Sequence, residues 1–140
     1  MEITVEEEAD PADVQALRDG LDAFNRRHAP ADGYRPLNLF LRGEDGAVLG
    51  GLLGETFWDW LHISILWVDE AHRGRGAGGR LLRQAEDEAR RRGCVGVFVD
   101  TLSFQAPDFY ARRGYAPWGR IEGLPPGHRR IFFQKSLRPE

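Results

Sequence analysis

Arg73-Gly74-Arg75-Gly76-Ala77-Gly78 is the stretch on which this sequence turns. It follows the apolar, strand-like run Ile63 to Val68 and precedes a helical pattern. Glycines at three of five successive positions leave bare backbone N–H groups at a helix N-terminus. Those donors and the helix dipole stabilise an anionic phosphate. Arg73 and Arg75 add positive charge. The segment predicts a phosphate-bearing ligand.

Working outward, the chain reads as an alternation of strands and helices. Upstream, Leu37 to Arg42 is a strand, Glu44-Asp45-Gly46 a turn, and Ala47 to Thr56 the returning strand. Gly50, Gly51 and Gly54 within it mark a bulge or a close backbone approach. Trp58-Asp59-Trp60 is a tight link to a third strand, Leu61 to Val68. Pro30, Gly33 and Pro36 define a loop before this meander. Ile3-Thr4-Val5 predicts a short first strand. Asp10 as N-cap and Pro11 in the first turn predict a helix ending near Arg27. Val14, Leu17, Leu21 and Phe24 give that helix an apolar face.

Downstream, Ala77 to Arg92 predicts a helix with apolar Leu81, Leu82, Ala85 and Ala89, closed by Gly93. Cys94 to Val99 is a continuous apolar run, as in a strand covered on both faces. Pro107 opens a short helix through Arg113, ended by Gly114. Tyr115 to Ile121 and Arg130 to Lys135 form a last hairpin around Gly123-Leu124-Pro125-Pro126-Gly127. The order predicts a mixed α/β (α+β) fold: an antiparallel meander, then a strand–helix–strand unit.

The 140 residues predict one domain, 1–140, with a single core. A formal net charge of -3 argues against nucleic acid as a partner. No apolar run approaches the roughly 20 residues of a membrane span, and the acidic start lacks a signal-peptide pattern. A cytoplasmic location is expected, which the lone Cys94 fits. His and Cys show no metal-ligand spacing, so no metal is expected.

The loop can be read in two registers. Gly74-x-Gly76-x-x-Gly79 matches the dinucleotide fingerprint, and Asp100 lies 21 residues beyond Gly79. Against this register, Asp69 to Arg73 separate the loop from its strand, and Arg75 crowds the turn. Only 61 residues remain after Gly79, and a meander replaces the alternating βαβ units. The other register is Arg73-x-x-Gly76-x-Gly78. It resembles the acyl-CoA signature of the Gcn5-related N-acetyltransferase (GNAT) superfamily, Gln/Arg-x-x-Gly-x-Gly/Ala. Phe109-Tyr110-Ala111-Arg112-Arg113-Gly114-Tyr115 resembles the second signature of that family, and Leu66-Trp67-Val68 precedes the loop at its spacing. The resemblance covers nearly the whole chain and is closest to a small, single-domain bacterial branch.

The resemblance implies a mostly antiparallel sheet of six or seven strands, flanked by helices and splayed at its centre. It implies acetyl-CoA as the acyl donor and N-acetyl transfer as the reaction. Leu66, Trp67 and Val68 would offer backbone to the pantetheine, with the Val68 N–H as oxyanion donor. Arg73, Gly74, Arg75, Gly76, Ala77 and Gly78 would hold the pyrophosphate. Side chains added at Gly76 or Gly78 would push the phosphate out. Tyr110 would contact the cofactor and protonate the leaving thiolate, which a phenol can do at neutral pH. Ser103 stands where the family commonly has a cofactor-contacting Asn.

For the general base, His62 occupies a position that is Glu in many members, and an imidazole titrates near neutrality. Asp100 and Glu55 are the alternatives. His128, in the last loop, could contact substrate. Trp58, Trp60, Phe104, Trp118 and Phe40 supply aromatic surface suited to an apolar or cationic acceptor. The acceptor is a small-molecule amine or a peptide amine, and a homodimer is compatible with the exposed hairpin edges. The rival class is an acyl-CoA-binding protein without catalysis.

Overall fold

The computed structural model describes residues 1–139, which pack as two compact units, Met1–Asp32 and the chain from Gly33 onward. In the first unit, helix α1 spans Pro11–Asn25. Asp10 caps it by accepting from the Ala12 N–H at 2.9 Å, and Pro11 occupies the first turn. Two further turns of hydrogen bonding carry the chain to Ala29. The expected strand at Ile3-Thr4-Val5 does not form. Ile3 and Val5 are fully exposed, and a three-residue strand without a partner gains no ladder to offset its ordering. Leu17, Leu21 and Phe24, expected as a buried face, are exposed.

The second unit holds strands β1 (Arg35–Arg42), β2 (Val48–Phe57), β3 (Trp60–Val68), β4 (Gly96–Leu102), β5 (Ala116–Glu122) and β6 (Arg129–Ser136). Helices α2 (Ala77–Arg91) and α3 (Pro107–Ala111) follow β3 and β4. The sheet order is β1-β2-β3-β4-β6-β5, antiparallel throughout except between β3 and β4. Pro36 lies inside β1 rather than in the preceding loop. An edge strand tolerates a missing N–H, and β1 is that edge. β2 and β3 are joined by a two-residue turn with positive φ at Trp58 (44°) and Asp59 (62°), the primed geometry that matches strand twist.

One face of the sheet carries Leu52, Leu61, Ile63, Val97, Val99 and Phe133 against Leu82, Ala85 and Ala89 of α2. Each large side chain buried there contributes about 1.5–3 kcal/mol. Gly50 and Gly51 in β2 answer to close backbone approach: an added β-carbon would stand 2.8 Å from the Trp67 oxygen and 2.6 Å from the Leu39 oxygen. A bulge is present as well. Leu53 pairs with Ile65 and Gly54 with Ile63, so Ser64 is the extra residue of β3.

β4 begins two residues later than the apolar run suggested and runs on to Leu102. The Cys94 N–H donates to Ala89 at 2.9 Å, finishing α2 beyond Gly93 at φ 84°, and so is lost to the ladder. Past Val99 the strand continues because Asp100, Thr101 and Leu102 pair with Phe132, Ile131 and Arg130. β3 and β4 pair over four rungs only, Trp60↔Gly96 to Ile63↔Val99. Beyond that they part, β3 staying with β2 and β4 with β6.

Candidate active site

The divergence of β3 and β4 opens a cleft of about 950 Å³. Ile63 to Val68 form one wall, and Val99, Asp100 and Thr101 the other. The glycine loop and α3 close its ends through Arg73, Gly74, Gly76, Ala77, Gly78, Phe109, Tyr110, Arg112 and Arg113.

The β3 wall offers unpaired backbone. The Asp69 N–H donates to the Leu49 carbonyl at 2.7 Å. With Gly50 opposite Val68, this makes that rung a non-hydrogen-bonded pair. The N–H and C=O of Val68 therefore point away from β2, into the gap, as do those of Leu66 two residues earlier. Arg73 Nε donates to the Val68 carbonyl at 2.8 Å, leaving the Val68 N–H toward the cleft. Leu66 and Val68 point their side chains to the α2 face; Trp67 points the other way and is exposed.

In the loop, Gly74 and Gly76 have φ of 77° and 78°. Gly76 is the N-cap of α2 and has no side chain to cap the first-turn N–H groups. A helix start of this kind can take an external anion. Gly78 carries a packing constraint as well: its added β-carbon would meet Phe109 at 3.3 Å. At Gly79 it would lie 2.9 Å from Arg113 Nη2. Arg113 in turn stacks 3.9 Å over Phe109 and donates to its carbonyl at 3.0 Å. The two sequence signatures are thus packed on each other. Arg75 is exposed and does not line the cleft.

Tyr110 is 5% exposed and packs on Phe109, Tyr115 and Phe133 at 5.1, 5.5 and 5.9 Å between ring centroids. Burial, with the Asp100 carboxylate second, pushes its phenol up to about 12. At neutral pH it is protonated in all but about one molecule in 10⁵. Tyr115 is not a second acid of the cleft. It donates to Glu86 at 2.7 Å, and Lys135 donates to the same carboxylate at 3.1 Å, a buried structural network.

The candidate bases do not all reach the cleft. Asp100 lines it, with Arg130 Nε 3.6 Å away. His62 does not line it. It lies on the face away from α2, hydrogen-bonded to Glu55 and stacked on Phe98. Ser103 is also outside the lining: its hydroxyl accepts from the Arg129 N–H at 3.1 Å and ties β4 to β6. His128 stands edge-on to the cleft residue Phe104 at 4.8 Å.

Gln105 and His72 are among the lining residues that the sequence reading did not single out. Gln105 accepts from the Leu102 N–H at 2.8 Å and ends β4. His72 approaches Asp69 at 3.2 Å, and the Asp69-x-x-His72 spacing before the loop was the available signal. Among the described residues no cluster of His, Cys, Asp or Glu could hold a metal, and no helix is long and apolar enough to cross a membrane.

Known proteins resemble this chain in sequence and in fold. The sequence model of the acetyltransferase (GNAT) family matches residues 3–115. The blasticidin-S acetyltransferase of Streptomyces morookaense is 43% identical over 138 residues, 96% of this chain and 94% of that one. An acetyltransferase of Agrobacterium fabrum is 37% identical over 137 residues, 98% of this chain and all of that one. A crystal structure from Agrobacterium tumefaciens shares the fold with a TM-score of 0.90 and 37% identity, over 97% of this chain and 99% of that one.

Proposed function

This chain belongs to the acetyltransferase (GNAT) family, an N-acetyltransferase drawing on acetyl-CoA, and from that premise we propose direct acetyl transfer to a primary amine of a small, cationic molecule. One observation carries the reading. The gap between β3 and β4 has a buried, protonated phenol, Tyr110, on its α2 side and proton-accepting groups, Asp100 and His62, on the opposite face.

Direct transfer needs that division. The amine nitrogen forms its bond to the thioester carbon while losing a proton on the face from which it enters. The carbon–sulfur bond breaks with its electron pair on sulfur, which takes a proton from the other face. Tyr110 supplies that proton, or a hydrogen bond to the developing thiolate. The Val68 N–H faces the gap and stabilises the oxyanion. Gly74 to Gly78 offer N–H groups to the pyrophosphate, with Arg73 fixing the end of β3 and Arg112 and Arg113 adding charge. The overall balance is acetyl thioester plus ammonium giving amide, thiol and one proton to solvent.

The acceptor class rests on two supports. Relatives carry the names blasticidin-S acetyltransferase and streptothricin acetyltransferase. The acceptor-side face also combines carboxylates, Glu55 and Asp100, with the rings of Phe57, Trp60 and Phe98, a surface suited to a cation. The test is thiol release from acetyl-CoA with blasticidin S, streptothricin, spermidine and lysine amide. Turnover with at least one is expected. Binding of acetyl-CoA without turnover for every amine would overturn the reading.

A further inference from the structure

His62 and Glu55, rivals as bases in the sequence, are partners in the structure. They face each other across β3 and β2, with His62 Nδ1 2.9 Å from Glu55 Oε1. An ionised carboxylate can only accept, so the proton of that bond sits on Nδ1, and in the neutral ring the lone pair is then on Nε2. The imidazole also lies on the Phe98 ring, 4.7 Å between centroids at 20°. The hydrogen bond fixes the tautomer and the stack fixes the plane.

Location gives the pair its meaning. His62 pairs in register with Phe98, one rung before the last contact between β3 and β4. It stands on the face opposite Tyr110, outside the cleft lining and beside the rung after which the strands part. Around it the face is aromatic: Phe57 and Trp60 each lie 6.2 Å from Phe98. Both partners are about one-quarter exposed, and a pair of that kind contributes only about 0–1 kcal/mol to stability. The next carboxylate along the face, Asp100, has Arg130 Nε 3.6 Å away, an ion pair longer than a hydrogen bond.

We infer that Glu55 is a positioning residue for proton removal, holding His62 in the Nδ1–H form so that Nε2 takes the proton of the acceptor amine, directly or through one water. This rests on the acetyl-transfer reading above. As the nitrogen–carbon bond forms, the amine proton passes to Nε2, and the resulting imidazolium is stabilised by a charge-assisted bond from Nδ1 to Glu55. The proton leaves to solvent from the partly exposed ring. The groups facing His62 are Glu55 from β2 and Phe98 from β4, with Asp100 and Arg130 farther along.

The test uses the full chain, with nitrogen NMR of the histidine rings and thiol-release kinetics on blasticidin S or the best amine of the panel. Wild-type His62 should show a protonated Nδ1 and a free Nε2. Glu55→Ala should lose that tautomer and at least about 10-fold in kcat/KM for the amine, with KM for acetyl-CoA unchanged. Glu55→Asp should restore part of both. Glu55→Leu fills the volume without an acceptor and gives the same comparison if the alanine variant misfolds. A wild-type ring protonated at Nε2 would overturn the inference. So would a Glu55→Ala rate within two-fold of wild type. Absence of turnover with every amine overturns the acetyl-transfer reading and this one together, whereas normal wild-type turnover with an unmoved variant overturns this one alone.

Discussion

Removing the Tyr110 hydroxyl gives two separable signals, one chemical and one thermodynamic. Tyr110→Phe keeps the ring that packs on Phe109, Tyr115 and Phe133, so the core is preserved near neutral pH. With the proton to sulfur gone, kcat should fall by about 10²-fold, the lower end of general acid–base contributions, while KM for acetyl-CoA holds within two-fold. The thermodynamic signal comes from the phenol's displacement from its ordinary 10.0 to about 12. Below pH 10 the group is protonated in folded and unfolded chains alike, so its contribution is complete. Between pH 10 and about 12 only the unfolded chain ionises, and stability falls by about 3 kcal/mol in all. Tyr115, displaced upward by burial first, then by Glu86 and to a lesser degree by Tyr110, adds a decline of the same sign in both proteins, so the difference reports mainly on Tyr110. Urea unfolding of wild type and variant at pH 8 and pH 11.5 measures it. Parallel alkaline declines would refute the burial argument, and an unchanged kcat would refute the acid role.

Three further substitutions probe the loop and its support. Gly76→Asp has open space around its β-carbon but a φ of 78°, so stability should drop by only about 1 kcal/mol while CoA affinity falls at least about 10²-fold through repulsion of the pyrophosphate; calorimetry showing normal CoA binding would remove the phosphate from this loop. Gly79→Ala should push the Arg113 guanidinium off Phe109, costing about 1 kcal/mol and weakening CoA binding several-fold; urea melts and CoA titrations matching wild type would show that the side chain simply moves aside. Tyr115→Phe leaves Glu86 with Lys135 alone and should destabilise the fold by about 1–3 kcal/mol without changing kcat; a urea midpoint equal to that of wild type would show that the network adds nothing.

The sequence carried the parts of the site that depend on local backbone. Gly74, Gly76 and Gly93 take left-handed φ, and Leu81, Leu82, Ala85 and Ala89 are all buried, because turns and helical periodicity are written within a few residues. What it could not carry is cross-strand placement. Glu55 and His62 are seven residues apart, yet their union depends on the register set by the Trp58-Asp59 turn. Ser103 reads as a cofactor contact by position, and its hydroxyl also accepts from the Arg129 N–H, 26 residues on, which no local pattern shows. Gly78 reads as a phosphate contact, while the ring its β-carbon would strike belongs to the second signature. Three-residue Ile3-Thr4-Val5 has β-branched composition and no partner strand, and propensity without pairing makes no strand.

The least visible feature in the sequence is the one that divides the chemistry. Ser64 bulges out of β3 immediately after Ile63, the last residue of that strand to pair with β4. A bulge bends its strand and increases its twist. Here the hydroxyl of Ser64 donates to the Leu53 carbonyl at 3.0 Å, holding the bent strand to β2 and away from β4. The two exposed residues in succession, Ser64 and Ile65, are the local mark of that extra residue. Had β3 run on without it, Leu66 and Val68 could have continued the ladder with β4, and no backbone would face a gap. The bulge also restores Leu66 and Val68 to the same side as Leu61 and Ile63, so the core continues past the break. One inserted residue thus marks the place where the sheet opens, with Tyr110 on the helix side and Asp100 on the other. On the proposed mechanism, that separation lets one proton be removed and another delivered in a single transfer.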